Sequence, residues 1–212
     1  MGLEREAEGL QAAREKAREE FGRMDPSWMA SRSGSSYSYS GRSFSLPFCG
    51  EDYAVSFPGG AAARADGRPA GAREELIILH YLSRAGGAKA RGEWISYRDL
   101  PGARYHEAAF FAEVEQPLSR GLSGRLDSLR EWARRNARLL ELPGDVSLAW
   151  EVLPRVPLLI IFNEADEEFP ASARVLFDAT APDYLPTEDL SVLAGLAAFR
   201  LLDELGALPE KG

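Results

Sequence analysis

Residues 146–162 read VSLAWEVLPRVPLLIIF and carry the clearest strand signal in the chain. Apolar side chains occupy every second position from Val146 to Val152, which predicts a half-buried strand because successive strand side chains point to opposite faces. Residues 158–162 form an uninterrupted apolar run that is typical of a strand buried on both faces. A third apolar run at 175–177 predicts that the three strands form a meander.

A second strand signal lies nearer the start of the chain. Apolar residues alternate over 44–48 and again over 53–57, and the intervening CGED at 49–52 is typical of a turn, so a β-hairpin is predicted. Helical patterns occur in blocks rather than in strict alternation with strands, which indicates an α+β fold. We therefore predict an antiparallel or mixed sheet, in which the N-terminal hairpin and the C-terminal meander share one sheet, packed with several helices.

The chain divides by composition into four parts. Residues 31–43 are rich in serine and poor in apolar side chains, so they are predicted to be flexible, because too little surface is buried to offset the entropy of ordering them. The alternation of Tyr37 and Tyr39 leaves a strand open as the alternative. The predicted parts are an N-terminal helix (1–30), a Ser-rich flexible linker (31–43), a single α+β domain (44–206) and a tail (207–212).

Charge and cysteine content narrow the classes of partner. The chain has 25 Lys and Arg against 33 Asp and Glu, a net charge of −8 that opposes capture of nucleic acid. The single cysteine, Cys49, excludes an intramolecular disulfide and favours a reducing, cytoplasmic location. The first residues lack a secretory signal, and the apolar run 156–162 is far shorter than the ~20 residues of a membrane helix. We expect no nucleic-acid or membrane partner; small molecules and proteins remain, and the oligomeric state is open.

The main candidate ligands for a metal lie in an acidic segment. The chain contains no Gly-rich phosphate loop, no serine-hydrolase nucleophile elbow and no HExxH motif. Residues 163–170 read NEADEEFP between two predicted strands. Because hard divalent cations prefer several converging carboxylate oxygens, Asp166, Glu167, Glu168 and Asp178 are the candidate metal ligands. The alternative is a solvated hairpin tip whose charges protect a strand edge.

His80 is the other candidate for chemistry. It lies in the most apolar predicted helix, over 72–85, where an imidazole needs a hydrogen-bonding partner. A partnered histidine and clustered carboxylates can transfer protons, so His80, Asp166, Glu167 and Asp178 are the candidate catalytic residues. The alternative is a histidine of the core whose hydrogen bonds are satisfied.

Trp94, Tyr97 and Arg98 are the candidate ligand-binding residues. They lie in an extended piece that leads into a turn, and aromatic rings in such positions can line a pocket. Aromatic residues beside strands and helix ends also belong to protein cores, and that alternative stays open.

Four segments together resemble one protein family. They read HYL at 80–82, GEWISYRDLPG at 92–102, DEEFPA continuing to LFD over 166–178, and YLPTEDL at 184–190. Over roughly residues 44–205, the pattern resembles a prokaryotic family described as domain of unknown function number 3786. The resemblance implies no catalytic residue. Some relatives carry an added cysteine-rich iron–sulfur segment, which implies a setting in anaerobic one-carbon or corrinoid metabolism; with one cysteine, this chain is expected to hold no iron–sulfur cluster.

Two classes of function remain open. Our hypothesis is that His80, the turn at 94–101 and the acidic loop with Asp178 meet in one cleft for a small ligand or a divalent cation. A ligand-binding or accessory protein agrees with the missing catalytic motifs. The alternative is a cation-assisted hydrolase or transferase that uses His80 with the carboxylates of Asp166, Glu167 and Asp178. If His80 and the acidic loop lie apart in the fold, the enzyme hypothesis loses most support.

Overall fold

The computed structural model describes residues 2–208, without the side chains of residues 2, 3 and 6. Residue 1 and residues 209–212, which include most of the predicted tail, lie outside the described part. The helices are α1 (Gly2–Gly22), α2 (Pro26–Ser33), α3 (Ala72–Arg84), α4 (Glu107–Phe110), α5 (Gln116–Leu122), α6 (Leu126–Asn136) and α7 (Thr187–Glu204). The strands are β1 (Ser36–Ser38), β2 (Ser43–Phe48), β3 (Glu51–Ser56), β4 (Ala62–Arg64), β5 (Trp94–Ser96), β6 (Arg138–Leu139), β7 (Val146–Leu153), β8 (Val156–Asn163) and β9 (Ser172–Asp178).

The predicted meander forms the centre of a five-stranded antiparallel sheet. Its strand order is β5-β9-β8-β7-β6. Leu148 and Trp150 of β7 are buried on one face together with Ile160 of β8. The ring of Trp150 lies 5.0 Å from that of Trp132 in α6, nearly perpendicular to it. The apolar alternation of β7 therefore selects the face that packs against the helices, and the α+β class is confirmed.

The prediction that the N-terminal hairpin shares a sheet with the meander requires correction. The hairpin belongs to a separate four-stranded sheet of order β1-β2-β3-β4. The two sheets meet where the N–H of Cys49 donates to the carbonyl of Val152 at 2.8 Å. At that point the register of β7 is irregular between Glu151 and Leu153, and β6 already pairs with β7 at Ala149. A continuous ladder between hairpin and meander cannot form at an edge that is both irregular and partly occupied.

Residues 31–43 differ from the predicted flexible linker. They contain the last residues of α2 and the strand β1, which pairs antiparallel with β2. Asp25 caps α2 by accepting the N–H of Trp28 at 2.7 Å, and Gly34 ends the helix in the left-handed conformation with φ 74°. The Tyr37 ring lies 4.8 Å from that of Phe44. The Tyr37 ring supplies apolar surface that the neighbouring serines lack. This part of the segment is therefore a strand, which was the alternative to the flexible linker.

Helix α1 packs against α3 through apolar residues and a buried ion pair. Ala17 and Phe21 are buried in the same hydrophobic core as the two sheets. Glu75 of α3 is 3% exposed, and its carboxylate accepts hydrogen bonds from Arg14 at 3.1 Å and from Arg18 at 2.9 and 3.0 Å. Two guanidinium groups offset the cost of removing this carboxylate from water. The N-terminal helix is therefore attached by both packing and charge.

The helices cover one face of the five-stranded sheet. Helix α5 contacts β9, α6 contacts β7, and α7 packs against both α3 and α5. Two cavities described below lie away from this helical layer, one on the opposite face of the sheet and one at the sheet edge beside β5. In the part of the chain that the structure describes, no helix combines the length and the apolar character needed to cross a membrane.

Replacing Glu75 with Gln is expected to lower the free energy of unfolding by about 2–3 kcal/mol, because it leaves two half-buried guanidinium groups without their anion. Chemical denaturation at neutral pH measures this loss. The matched control is Glu20→Gln, since the Glu20 side chain is 43% exposed and lies 3.8 Å from Lys16. The control is expected to change stability by about 0.5 kcal/mol or less. Equal effects of the two substitutions would contradict the role given to Glu75.

Candidate functional site

The face of the five-stranded sheet that is turned away from the helices is called here the outer face. The register places Trp94 beside Asp178 and Ser96 beside Leu176. Because strand side chains alternate, these residues lie on the face opposite to Phe177, which is buried in the core. The outer face comprises Trp94 and Ser96 of β5, Arg174, Leu176 and Asp178 of β9, Pro157, Leu159 and Ile161 of β8, and Ser147, Ala149 and Glu151 of β7.

A cavity of about 710 Å³ opens at the edge of the sheet where β5 ends, between the outer-face residues Ser96 and Arg174 and the segment 97–115. This volume falls within the range of small-molecule sites, ~300–1,000 Å³. We call the cavity the arginine pocket. Its charged lining consists of Arg98, Arg104, Arg174, Asp99, Glu107 and Glu115, and its aromatic lining of Tyr97, Phe110 and Phe111.

The three arginines of the pocket hold free hydrogen-bond donors. Among the residues that the structure describes, none of their guanidinium groups forms an ion pair with a carboxylate. Two of the neighbouring carboxylates are engaged elsewhere. Asp99 accepts the hydroxyl of Ser96 at 2.5 Å, and Glu115 accepts the N–H of Val175 at 2.9 Å. The pocket can therefore offer guanidinium groups to an anion without first breaking an internal salt bridge.

The aromatic wall of the pocket is rigid at the back and exposed at the mouth. The rings of Tyr97 and Phe110 stack 4.2 Å apart with an interplanar angle of 2°, and Tyr97 is 5% exposed. Burial raises the pKa of the Tyr97 hydroxyl, and a hydrogen bond with Ser191 opposes the shift. Phe111 is 50% exposed. The wall therefore consists of a buried aromatic stack, which fixes its position, and one accessible ring, that of Phe111.

Glu115 lies at the end of a π-helical turn, Phe111–Glu115, between α4 and α5. The following turn contains Pro117, which has no N–H to continue the regular ladder, and π-turns of this kind are frequent at functional sites. Burial raises the pKa of the Glu115 carboxyl, whereas the N–H of Val175 and the nearby Arg174 lower it. A half-buried carboxyl with a raised pKa that lines a cavity marks that cavity as a candidate site.

The three predicted ligand-binding residues divide between two cavities. Tyr97 and Arg98 line the arginine pocket, whereas Trp94 lines a second cavity, on the outer face, together with Asp178. Asp178 is fully buried and accepts the N–H groups of Arg91, Gly92 and Thr180 as well as the Thr180 hydroxyl. Burial raises the pKa of Asp178, but these hydrogen bonds outweigh it and hold the pKa below its usual range. Its carboxylate is committed to holding the chain between α3 and β5.

His80 lies away from both cavities. Its Nδ1 lies 2.7 Å from Oδ2 of Asp189, which is in the first turn of α7, and both side chains are mostly buried. Arg84 approaches the same carboxylate at 3.9 Å. The geometry is that of a histidine satisfied across a helix–helix contact, as in the core alternative for this residue.

The acidic segment forms an exposed turn between β8 and β9. Asp166 accepts the N–H groups of Glu168 at 2.8 Å and Phe169 at 2.7 Å, and these hydrogen bonds lower its pKa. Glu167 and Glu168 are exposed, whereas Asp178 is buried at the far end of β9. Over residues 2–208, no three His, Cys, Asp or Glu side chains converge so as to hold a metal ion. The structure therefore does not bring the predicted metal ligands together, nor does it join them to His80.

Sequence reasoning missed Arg104, Glu115 and Arg174, which complete the arginine pocket. The placement of Arg174 could have been inferred from strand alternation, which puts its side chain on the face opposite to Val175 and Phe177 of the predicted third strand. Glu115 carried no such signal: it lies inside a helical pattern, and only the contact between the π-helical turn and β9 reveals its role.

The fold and its cavities define an α+β domain with helices on one sheet face and a ligand-sized pocket on the other. A family model described as "Domain of unknown function (DUF3786)" matches residues 25–200. The chain belongs to this family, as the resemblance indicated, and the match begins before the Ser-rich segment rather than after it. Comparisons with curated proteins and with solved structures returned no match.

Replacing Asp178 with Asn is expected to destabilise the protein by about 2 kcal/mol at pH 7, because several hydrogen bonds lose their charged acceptor. The folded-state pKa lies below the unfolded value of ~3.9, so this stabilisation is present above about pH 4 and lost as pH falls through the folded pKa. Unfolding measured from pH 7 to pH 3 should show the wild type and the variant converging in acid. The control is Asp203→Asn, on the exposed end of α7, which should shift stability by less than about 0.5 kcal/mol. A stability difference between wild type and Asp178→Asn that stays constant at every pH would contradict this account.

Proposed function

We propose that the chain is a ligand-binding or accessory module that holds a small organic anion in the arginine pocket. The observation that supports this most directly is the presence of three guanidinium groups, from Arg98, Arg104 and Arg174, around one cavity of ligand size without ion-pair partners among the described residues. A guanidinium group binds carboxylate or phosphate through two parallel hydrogen bonds, which supplies both charge and direction.

The lining also defines the body of the ligand. Phe111 is half exposed at the mouth, and Ala108 and the Tyr97–Phe110 stack form the apolar wall. Flat apolar groups pack well against such rings. The ligand class is therefore a carboxylate or phosphate attached to a flat, apolar body.

The alternative, a cation-assisted hydrolase or transferase, has no comparable observation in its favour. His80 is engaged with Asp189 across a helix–helix contact, and Asp166 lies in the exposed turn between β8 and β9, where it accepts backbone N–H groups. The one-carbon or corrinoid setting implied by the family resemblance stays a prediction.

The first test is an NMR titration of ¹⁵N-labelled protein with benzoate, phenyl phosphate and neutral benzyl alcohol. We expect the two anions to shift backbone signals over residues 96–115 and 174, and to bind more tightly than the alcohol, because only the anions engage the guanidinium groups. Arg104→Gln and Arg174→Gln should each weaken anion binding about fivefold, equivalent to ~1 kcal/mol.

Arg134→Gln is the matched control, since Arg134 is an exposed arginine on α6 outside the pocket. This substitution should leave the affinity unchanged. Equal binding of the alcohol and the anions, or equal effects of Arg134→Gln and Arg174→Gln, would contradict the proposed function.

The second test is the pH dependence of anion binding. Benzenesulfonate keeps its charge from pH 4 to pH 8, whereas Glu115 has a pKa above its ordinary value of 4.5 because it is buried. Glu115 is neutral below its pKa and repels the probe when ionised above it, so the affinity should fall as pH rises. Titration calorimetry at several pH values measures this fall.

Glu115→Gln should flatten the pH profile, because the amide oxygen can still accept the N–H of Val175 but carries no charge. Glu113→Gln, at an exposed position of the same π-helical turn, serves as the control and should keep the wild-type profile. An unchanged profile in Glu115→Gln would remove Glu115 from the site.

A further inference from the structure

The lining of the arginine pocket carries carboxylates as well as guanidinium groups. The three arginines are accompanied by three acidic residues, which are Asp99, Glu107 and Glu115. A ligand that carries only negative charge engages the arginines but gains nothing from the carboxylates. The lining is therefore suited to a ligand that presents groups of both signs.

Two of the three carboxylates have a partner within the protein. Asp99 accepts the hydroxyl of Ser96 at 2.5 Å, and hydrogen bonds with Ser96 hold the pKa of Asp99 below its usual range. Glu115 accepts the N–H of Val175 at 2.9 Å. These two carboxylates therefore hold the wall of the pocket together before any ligand binds.

Glu107 is the carboxylate that is left for a ligand. Its side chain is exposed, and among the residues that the structure describes it forms no hydrogen bond and no ion pair. Arg104, three residues earlier, does not pair with it. A cationic group of a ligand can therefore reach Glu107 without displacing a partner from it.

Glu107 lies between Arg104 and Phe111 along one side of a helical segment. This segment consists of a 3₁₀ turn at Ala103–Tyr105, helix α4 and the π-helical turn. Side chains three and four residues apart in helical turns are neighbours, with about 5–6 Å between their Cβ atoms. Arg104, Glu107 and Phe111 all line the cavity. They present a guanidinium group, a carboxylate and an aromatic ring in that order.

We propose that the arginine pocket binds a zwitterion of the aromatic α-amino-acid class, an inference that rests on the proposed function and specifies its ligand. In such a molecule the carboxylate and the ammonium group share one carbon atom, and the ring follows after one further carbon. The ligand carboxylate lies at Arg104, the ammonium group at Glu107 and the ring on Phe111. Arg98 and Arg174 provide further donors for the carboxylate.

The position of Glu107 also disfavours ligands that carry only one kind of charge. An aryl carboxylate bound at Arg104 lies beside the carboxylate of Glu107, and two like charges at short distance repel each other. An aryl amine leaves the guanidinium groups without an anion. The zwitterion avoids both costs, so Glu107 acts as the group that selects between these ligand classes.

The test compares three ligands that share one ring and one carboxylate, by NMR titration of ¹⁵N-labelled protein at pH 7. They are phenylalanine, 3-phenylpropanoate, which lacks the ammonium group, and N-acetylphenylalanine, in which that group is blocked. We expect phenylalanine to bind about fivefold more tightly than either of the other two, because only its positive charge can contact Glu107.

Glu107→Gln should remove this preference, because it lowers the affinity for phenylalanine about fivefold without weakening 3-phenylpropanoate. The matched control is Glu113→Gln, since Glu113 is an exposed carboxylate of the next turn that does not line the pocket. The control should keep the wild-type preference. Arg104→Gln should weaken phenylalanine and 3-phenylpropanoate alike, because both ligands carry the carboxylate.

The outcomes separate this ligand class from the anion site on which it rests. Equal affinities of phenylalanine and 3-phenylpropanoate, an unchanged preference in Glu107→Gln, or loss of the preference in Glu113→Gln would each overturn the ligand class and leave the anion site in place. If benzoate and phenyl phosphate do not bind either, the proposed function is wrong as well.

Discussion

The two-sided character of the meander β7–β9 is the constraint on which the rest of the structure depends. The even-numbered residues of β7 and β8 have large apolar side chains. Because Leu148, Trp150 and Ile160 are buried, this face of the sheet must pack against the helices. Each such side chain contributes ~1.5–3 kcal/mol on burial, and a shift of one residue would expose the entire set. The helical layer therefore lies on one side, the outer face is left for loops, charged side chains and the cavity at Trp94, and the arginine pocket lies at the sheet edge.

Buried carboxylates hold the segments that surround this sheet. Glu115 accepts the N–H of Val175 just beyond the end of β5, where the ladder has no further strand to provide an acceptor. Asp178 does the same for the N–H groups of residues 91 and 92, and Glu75 ties α1 to α3 through two arginines. Asp178 and Glu75, which are the two fully buried members of this group, are each satisfied by several donors, which is the condition under which a charged group is stable inside a protein. The walls of both cavities are thus positioned by backbone hydrogen bonds rather than by loop packing alone.

Several arginines lie on the outer face and at its β5 edge, although the chain is acidic overall. The chain carries a net charge of −8, yet Arg91 and Arg174 lie on or beside this face and Arg98 and Arg104 at its edge, and among the described side chains their guanidinium groups form no ion pairs. Short-range donors decide recognition inside a cavity, whereas net charge acts on the approach of a partner from a distance. The segment 92–102 runs between the two cavities and falls within the family match over 25–200. In the acidic turn, by contrast, the Asp166 carboxylate accepts N–H groups of the turn's own backbone.

The sequence by itself determined the α+β class, the three strands of the meander and the hairpin, because side-chain alternation over several residues is a local pattern that a sheet must satisfy. It also indicated Tyr97 and Arg98, which line a cavity, and Trp94, which lines the other. The tertiary structure decided that the hairpin and the meander form two sheets and that Tyr37 packs in a strand. It also decided that His80 pairs with Asp189 rather than with the acidic turn. Finally, it brought Glu115 and Arg174 to the lining of one cavity. These contacts join residues that are distant in sequence. Strand pairing and helix packing bring them together, and both depend on long-range register, which no local sequence pattern encodes.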